Sequence, residues 1–304
     1  GFYSIISGCT FTNIDFVLDV KDVDINTLST TNTSGYLGLF ANEIIGCSFV
    51  NCKFTINLPA EINLASEVSG FGLLAGRLTR VVFSGCEVQI ASSTKINASD
   101  IVELGGVAAK SLYSTLDNVA INLNSVTFIA TTSAQQAVSV GLVAGVAEAG
   151  NFNKLVVNQA TARLELSCAS KSVKNVDFGV FGYVKGHQEI TNTLIDNVNL
   201  IITNIATAGE GKLPTNLNFG LLAGRIANSS LKVVKIYNTT GDGSTSLNYE
   251  SQDWCNNENI GLVAGESEGC TLNGVYTYKD VDNISSPLRY KAYASDAKNL
   301  RSIN

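Results

Sequence analysis

Few side chains in this sequence of 304 residues have the types and spacing that enzyme chemistry needs. The single histidine, His187, lies in the segment Lys185–Glu189, whose composition is typical of a turn. Nucleophilic catalysis by serine or cysteine needs a neighbouring base, which is usually histidine. We therefore predict that the chain has no catalytic residues, is not an enzyme and uses no cofactor.

The acidic residues are the next candidates for chemistry, and their densest cluster comprises Asp15, Asp19, Asp22 and Asp24. Carboxylates on one face of a strand could bind calcium or take part in polysaccharide cleavage. However, the segment Lys21–Asp24 recurs as Lys279–Asp282 near the other end of the chain. Recurrence at an equivalent position favours a solvated strand face, so we predict no metal site here.

Seven cysteines occur, but none is spaced as Cys-x-x-Cys, so a zinc site is not predicted. In the repeat described below, Cys9 lies level with Cys47, and Cys52 lies level with Cys86, in neighbouring coils. Strands in neighbouring coils are about 4.8 Å apart, a spacing that permits a disulfide. Two interpretations stay open: disulfides between coils, or stacked free thiols that pack as small apolar side chains.

Asn-x-Ser/Thr sequons are acceptors for N-linked glycans in a secreted chain. The sequence contains five of them, at Asn32, Asn97, Asn228, Asn238 and Asn283. Three of the five fall where we expect polar segments of variable length, from which a glycan would project into solvent: Asn32, Asn97 and Asn238.

An internal repeat must position these residues. The segment Phe71–Gly76 matches Phe219–Gly224 at every position, and each copy is followed by arginine. Looser copies of the Gly-Leu block begin at Gly38, Gly106, Gly141, Gly179 and Gly261. The seven copies are spaced by 34 to 41 residues, which is typical of a solenoid or another repeat fold.

A second block follows each Gly-Leu block and reads as strand, Asn or Gly turn, strand. Gly8–Phe16 is similar to Gly46–Phe54, and apolar and polar residues alternate, as in Val88-Gln89-Ile90. Asn at a corner can adopt the left-handed conformation. A third segment, rich in Ser, Thr and Asn, varies in length and closes the unit.

These observations predict an all-β fold, a right-handed parallel β-helix (β-solenoid) of about seven to eight coils with three short strands each. We expect one solenoid domain over residues 1–285, followed by a more basic tail or cap over residues 286–304. The Gly, Thr, Asn and β-branched content opposes an α-helical repeat. Hairpin dipeptides of the Asn-Gly kind are rare, which argues against a β-propeller.

The Gly-Leu-hydrophobic-Ala-Gly block resembles the GLUG motif of large surface and secreted proteins, including adhesins. The resemblance covers roughly residues 36 to 266 and is closest at Gly72–Gly76, Gly141–Gly145, Gly220–Gly224 and Gly261–Gly265. It departs at Asn42, Lys110 and Tyr183, where the closing glycine is missing from the aligned copy. The resemblance implies an adhesin-like β-helix whose repeats carry no chemistry of their own.

Composition limits the partners. The net charge is −6 and no basic stripe occurs, so nucleic acid is not a predicted partner. No apolar run reaches the roughly 18 residues that span a bilayer. The chain begins at Gly1 rather than Met, and we interpret it as a mature product or an excised piece of a longer protein.

We therefore predict a structural or adhesive extracellular solenoid at the cell surface, a stalk or filament subunit that binds end to end to itself or to neighbouring segments of a longer parent. Open solenoid ends expose sheet edges that favour such pairing; a tail that covered the last coil would argue against it. A glycan or host-surface ligand fits this role. Two alternatives remain: a carbohydrate-binding or polysaccharide-cleaving β-helix enzyme, and a scaffold in a cytoplasmic assembly.

Overall fold

The structure, a computed structural model, describes residues 3–23, 35–65, 67–132, 137–168, 175–204, 216–237, 246–249, 257–278 and 300–303. These residues contain strands and turns and no helix. The sequons Asn32, Asn238 and Asn283 lie outside the described residues, as do Asp24 and residues 286–299 of the predicted tail.

The strands are β1 (Tyr3–Ser7), β2 (Thr10–Thr12), β3 (Asp15–Asp19), β4 (Tyr36–Gly38), β5 (Ala41–Ile45), β6 (Ser48–Val50), β7 (Lys53–Asn57), β8 (Glu61–Asn63), β9 (Gly70–Gly72), β10 (Ala75–Thr79), β11 (Val82–Ser84), β12 (Glu87–Ser99), β13 (Glu103–Gly105), β14 (Ala108–Leu112), β15 (Thr115–Asp117), β16 (Ala120–Thr132), β17 (Val138–Glu148), β18 (Asn151–Asn153), β19 (Val156–Cys168), β20 (Asn175–Lys185), β21 (Glu189–Asn204), β22 (Asn216–Gly220), β23 (Ala223–Ala227), β24 (Ser230–Tyr237), β25 (Ser246–Tyr249), β26 (Asn257–Gly261), β27 (Ala264–Glu268), β28 (Thr271–Tyr278) and β29 (Leu300–Ile303).

The strands form two parallel sheets, of 13 and 16 strands, in which each strand pairs with its counterpart in the neighbouring coil. For example, Ala75 of β10 lies between Ala41 of β5 and Ala108 of β14. The predicted all-β parallel solenoid is therefore confirmed. It has about five turns, somewhat fewer than the seven to eight coils predicted.

The number of strands per coil changes along the solenoid. The coil over residues 35–65 contains five short strands, β4 to β8, whereas the coil over residues 175–204 contains the two long strands β20 and β21. The sequence predicted three strands in every coil. The difference arises because the chain bends within one or two residues, so neighbouring segments either join into one strand or separate.

Two columns of left-handed residues form the sharpest corners. One column includes Gly8, Gly46, Arg80, Tyr113, Ala149, Asn228 and Gly269, and the other includes Asn13, Asn51, Gly85, Asn118, Lys154 and Asn192; all have φ between 48° and 66°. The corner N–H donates to a carbonyl of the next coil, as from Asn51 to Ser84 at 2.8 Å. The prediction that corner asparagines adopt this conformation is confirmed.

A single apolar core runs through the inside of the coils. Rings stack from coil to coil, with centroid separations of 5.0 Å for Phe11–Phe49, 4.9 Å for Phe49–Phe83 and 4.8 Å for Phe16–Phe54. Each fully buried apolar side chain contributes roughly 1.5–3 kcal/mol. One coil by itself could not exclude water from these side chains, so the stack folds as a unit.

The pairing register corrects the alignment of two Gly-Leu blocks. Gly105, not Gly106, pairs with Gly72, so the closing glycine of that copy is replaced by Ala109 and not by Lys110. In the copy that begins at Gly179, the register shifts, and Tyr183 pairs with Val146. Gly182 therefore keeps the closing glycine, and this copy lacks one interior residue instead.

Candidate functional site

Two neighbouring columns of side chains concentrate the polar groups of one wall, which we call the Gly-Leu wall because its strands contain the Gly-Leu blocks. Column one is Tyr36, Gly70, Glu103, Ser139, Asp177, Asn218 and Asn259. Column two is Glu43, Arg77, Lys110, Val146, Tyr183, Arg225 and Glu266. In column two, opposite charges lie one rung apart at Glu43 and Arg77 and at Arg225 and Glu266, whereas Arg77 and Lys110 are neighbouring like charges.

The first charge cluster lies near the N-terminal end of this wall. Arg77 forms an ion pair with the buried carboxylate of Glu43 in the preceding coil, and its guanidinium lies 5.4 Å from the ring centroid of Tyr36. The Tyr36 hydroxyl donates to Glu103 Oε2 at 2.6 Å, and Lys110 Nζ lies 3.4 Å from Glu103 Oε1. These contacts join coils that are distant in sequence.

The geometry of Tyr36 depends on a glycine. A Cβ on Gly70 would lie 2.6 Å from Cε1 of the Tyr36 ring, so a side chain there would displace the ring that crosses to Glu103. Burial, and then the Glu103 carboxylate, raise the pKa of Tyr36 well above its ordinary value. The phenol therefore remains protonated and donates its hydrogen bond at all physiological pH values.

The second charge cluster surrounds Asp177, whose side chain is fully buried. Asn218 Nδ2 donates to Asp177 Oδ1 at 2.7 Å, Arg225 donates to Oδ2 at 3.0 Å, and the Ser139 hydroxyl lies 3.4 Å from Oδ2. The Arg225 guanidinium also lies 3.8 Å from the ring centroid of Tyr183. Residues from three neighbouring coils therefore converge on one carboxylate.

Burial raises the pKa of Asp177 to about 6, even though Arg225 and Asn218 act in the opposite direction. A carboxyl group that titrates near pH 6 could serve as an acid or base if a substrate reached it. Asp177 has no solvent-accessible surface, and its oxygens are already bonded to protein groups. The arrangement is therefore a crosslink between coils, not an open reaction site.

We expect the titration of Asp177 to make stability depend on pH. Because its folded pKa of about 6 exceeds its ordinary value of 3.8, the folded state binds a proton more tightly than the unfolded state between these values. The stabilisation from this tighter proton binding is fully present below pH 4 and is lost as pH rises through 6. The free energy of unfolding therefore falls by about 3 kcal/mol over this range. Urea unfolding of the protein and of Asp177→Asn across pH 4–8 measures it.

The variant should show a flatter curve over this range, while Glu67→Gln, which changes an exposed carboxylate outside the first coil, should keep the slope of the original protein. Equal slopes in the Asp177→Asn variant and the original protein would contradict the assignment.

The predicted cysteine pairs lie next to each other in the stack. The N–H of Cys9 lies 3.4 Å from Cys47 Sγ, and the N–H of Cys52 lies 3.4 Å from Cys86 Sγ. All four are free thiols in the structure. Three of them are buried, and burial raises the pKa of the Cys86 thiol. Their geometry matches the interpretation in which stacked thiols pack at the corners.

The two described sequons differ in their surroundings. Asn228 is exposed at a left-handed corner. Asn97 was predicted to lie in a polar segment from which a glycan would project. It lies in β12, where its Nδ2 donates to Asn63 Oδ1 at 2.7 Å and also to Glu61. The polar third segment itself folds into strands. The hydrogen bonds between its stacked side chains use the Asn97 amide nitrogen, to which a glycan would be attached.

The remaining candidates for chemistry are dispersed. His187 is exposed and left-handed, with φ of 67°. Asp15 and Asp19 are exposed on β3, and Asp22 lies 4.0 Å from Lys21. Within the described ranges, no three His, Cys, Asp or Glu side chains gather in a way that could hold a metal ion. The same ranges contain no helix that could span a membrane.

The first coil, β1 to β3, forms a second distinctive surface. Among the described residues, each of its strands pairs on one side only, with β5, β6 and β7 respectively. Side chains of Tyr3, Ile5 and Val17 are 53%, 53% and 68% exposed, although they are large and apolar. A cleft of about 430 Å³ opens here between Phe16, Phe40 and other core residues.

The charge clusters of the Gly-Leu wall were missed by reasoning from sequence. One signal was present, since arginine follows both exact copies of the Gly-Leu block, at Arg77 and Arg225. Glu43 and Glu266 occupy the same repeat position, which a column-by-column reading of charge would have detected.

No protein-family model, curated protein or solved structure matches the chain. The resemblance to GLUG repeats thus remains an interpretation of the residues quoted above.

Proposed function

We propose that this chain is a non-catalytic structural segment, a stiff stalk or filament subunit at the surface of a cell. The observation that carries the proposal is the continuous in-register ladder, in which backbone pairing, one apolar core and charge clusters all connect neighbouring coils. Interactions of this kind resist bending and local unfolding, because each coil is held by both neighbours.

The finer features of this proposal are a right-handed coil and assembly end to end. Crossover connections between parallel strands in one sheet are right-handed in nearly all proteins, which supports the coil sense. The outer edges of β1, β2 and β3 have no partner strand within the described part of the chain. This supports assembly, because such edges pair readily with other chains. A glycan or host-surface ligand at the exposed walls is part of the adhesive form of the proposal.

Glycan mapping of protein isolated from its source tests the extracellular location. Intact mass should fall after treatment with an N-glycosidase, and Asn228 should be converted to Asp, because this sequon is exposed at a corner. Asn97 should stay unmodified, since its amide is bonded within a strand ladder. Unmodified sequons throughout, with every cysteine reduced, would instead favour the cytoplasmic scaffold.

A separate measurement tests the absence of catalysis. Purified protein incubated with a panel of acidic and neutral polysaccharides, with and without calcium, should release no new reducing ends. Release of reducing ends that is lost in a carboxylate variant would replace the structural proposal by the polysaccharide-cleaving alternative. Saturable glycan binding without cleavage would agree with the adhesive form.

A further inference from the structure

We propose that the first coil is an interface for a second copy of this chain, which seats its β29 strand in parallel on β3. In the continued register, Arg301 of one copy lies level with Asp15 of the next. This inference rests on the proposed end-to-end assembly and specifies its contact surfaces and its register.

The first coil has the surface of an interrupted stack. Of the large apolar side chains that are exposed in the described residues, most belong to this coil: Tyr3, Ile5, Ile14, Val17 and Val23, compared with Val82 and Tyr113 elsewhere. Exposed apolar groups concentrated at one end of a protein are typical of an interaction site. The backbone edges at the same end, which pair with no further strand in the ranges that the structure describes, would accept another parallel rung.

The stacked aromatic rings show which side chains an added rung would cover. Phe83, Phe49 and Phe11 stack at intervals of 4.9 and 5.0 Å, and the series stops at Phe11. Phe54 and Phe16 stack at 4.8 Å, and this series stops at Phe16 in the first coil. A further coil at the same spacing would cover both rings, which are only partly buried.

The charges along one column of side chains indicate which type of residue should lie next to Asp15 on its open side. Asp15 begins a column that continues through Lys53 and Glu87, and Lys53 Nζ lies 3.3 Å from Glu87 Oε2. Signs alternate from rung to rung, so a basic residue suits the position beyond Asp15. Opposite charges on directly neighbouring strands stabilise the pairing, and like charges destabilise it.

The other end of the chain has a basic residue in this same column. The column passes from Lys235 to Tyr276 in β28 and then to Arg301 in β29. β29 belongs to the predicted tail or cap, and it covers the second half of β28. It does so as one more parallel, in-phase rung that pairs, among the described residues, only with β28, so it continues the stack and does not close it. A second copy continues this register when its β3 strand pairs in parallel with β29 of the first copy.

Charge exchange tests the register. Sedimentation velocity of the full 304-residue chain at low salt should show association that rises with concentration. Asp15→Arg and Arg301→Asp should each raise the dissociation constant by roughly tenfold. The double variant should regain association, because it restores an opposite pair. Glu67→Arg and Lys95→Glu, at exposed positions outside the first coil, are matched controls that should associate like the original protein.

The possible results distinguish failure of the end-to-end assembly from failure of the proposed register. A chain that stays monomeric at every concentration would overturn both this interface and the end-to-end part of the proposed function. Association that the single exchanges leave unchanged, or that the double variant does not regain, would overturn the register while the assembly stands. Val17→Asp, at a side chain that is 68% exposed, should weaken association without unfolding the coil, as thermal unfolding would check.

Discussion

Replacing Gly220 with alanine should lower the free energy of unfolding by about 3 kcal/mol or more, because overpacking is costly where the neighbours cannot move. A Cβ at this position would lie 2.3 Å from Ala223 O, 2.6 Å from Ala264 Cα and 2.8 Å from Gly265 N. All three are backbone atoms, and two belong to the next coil. Urea unfolding followed by circular dichroism measures the change.

Gly46→Ala is the matched control for this prediction. A Cβ on Gly46 has no heavy atom within 4 Å, so the only cost is the left-handed conformation at φ of 60°. That cost is about 1–2 kcal/mol. A Gly220→Ala variant as stable as the Gly46→Ala variant would show that the coils can separate enough to admit a methyl group, contrary to the packing described above.

The second large effect is expected at the buried crosslink. At pH 8, Asp177→Ala should lower the free energy of unfolding by about 3–5 kcal/mol, because it leaves Arg225 without the carboxylate that balances its charge. The donors of Asn218 and Ser139 would also lose their acceptor. Thermal or urea unfolding at fixed pH measures the loss.

An exposed pair provides the comparison for this variant. Lys53 and Glu87 lie 3.3 Å apart with side chains 41% and 36% exposed, so Glu87→Ala should cost less than about 1 kcal/mol. The double variant Asp177→Ala, Arg225→Ala should be less destabilised than the sum of its single variants. Additive losses would mean that the two side chains act independently and that the cluster does not crosslink the coils.

Much of the fold could be predicted because the repeat imposes one local solution many times. Alternating apolar residues define the inward faces, as at Val88 and Ile90, and corner residues such as Asn51 and Asn118 mark the turns. The Cys9–Cys47 neighbours also followed from repeat alignment alone. Each of these features depends on a short segment and its spacing to the next copy.

Alignment failed where a repeat copy had changed its length. The block at Gly179 is one residue shorter between its glycines, and only backbone pairing reveals that Gly182 occupies the closing position. The strand that contains Asn97 was missed for a related reason. A polar segment can still form a strand when its neighbours supply the ladder, here through Asn63.

By itself, the sequence determined a parallel stack of short strands around an apolar core, because short strands with alternating apolar residues, repeated at similar spacing, bury those residues by stacking on their neighbours. Only the tertiary structure decided which charges meet, such as Asp177 with Arg225, 48 residues apart. It also decided which end exposes apolar side chains. These properties depend on the exact register between coils, where a shift of one residue moves every side chain to the opposite face.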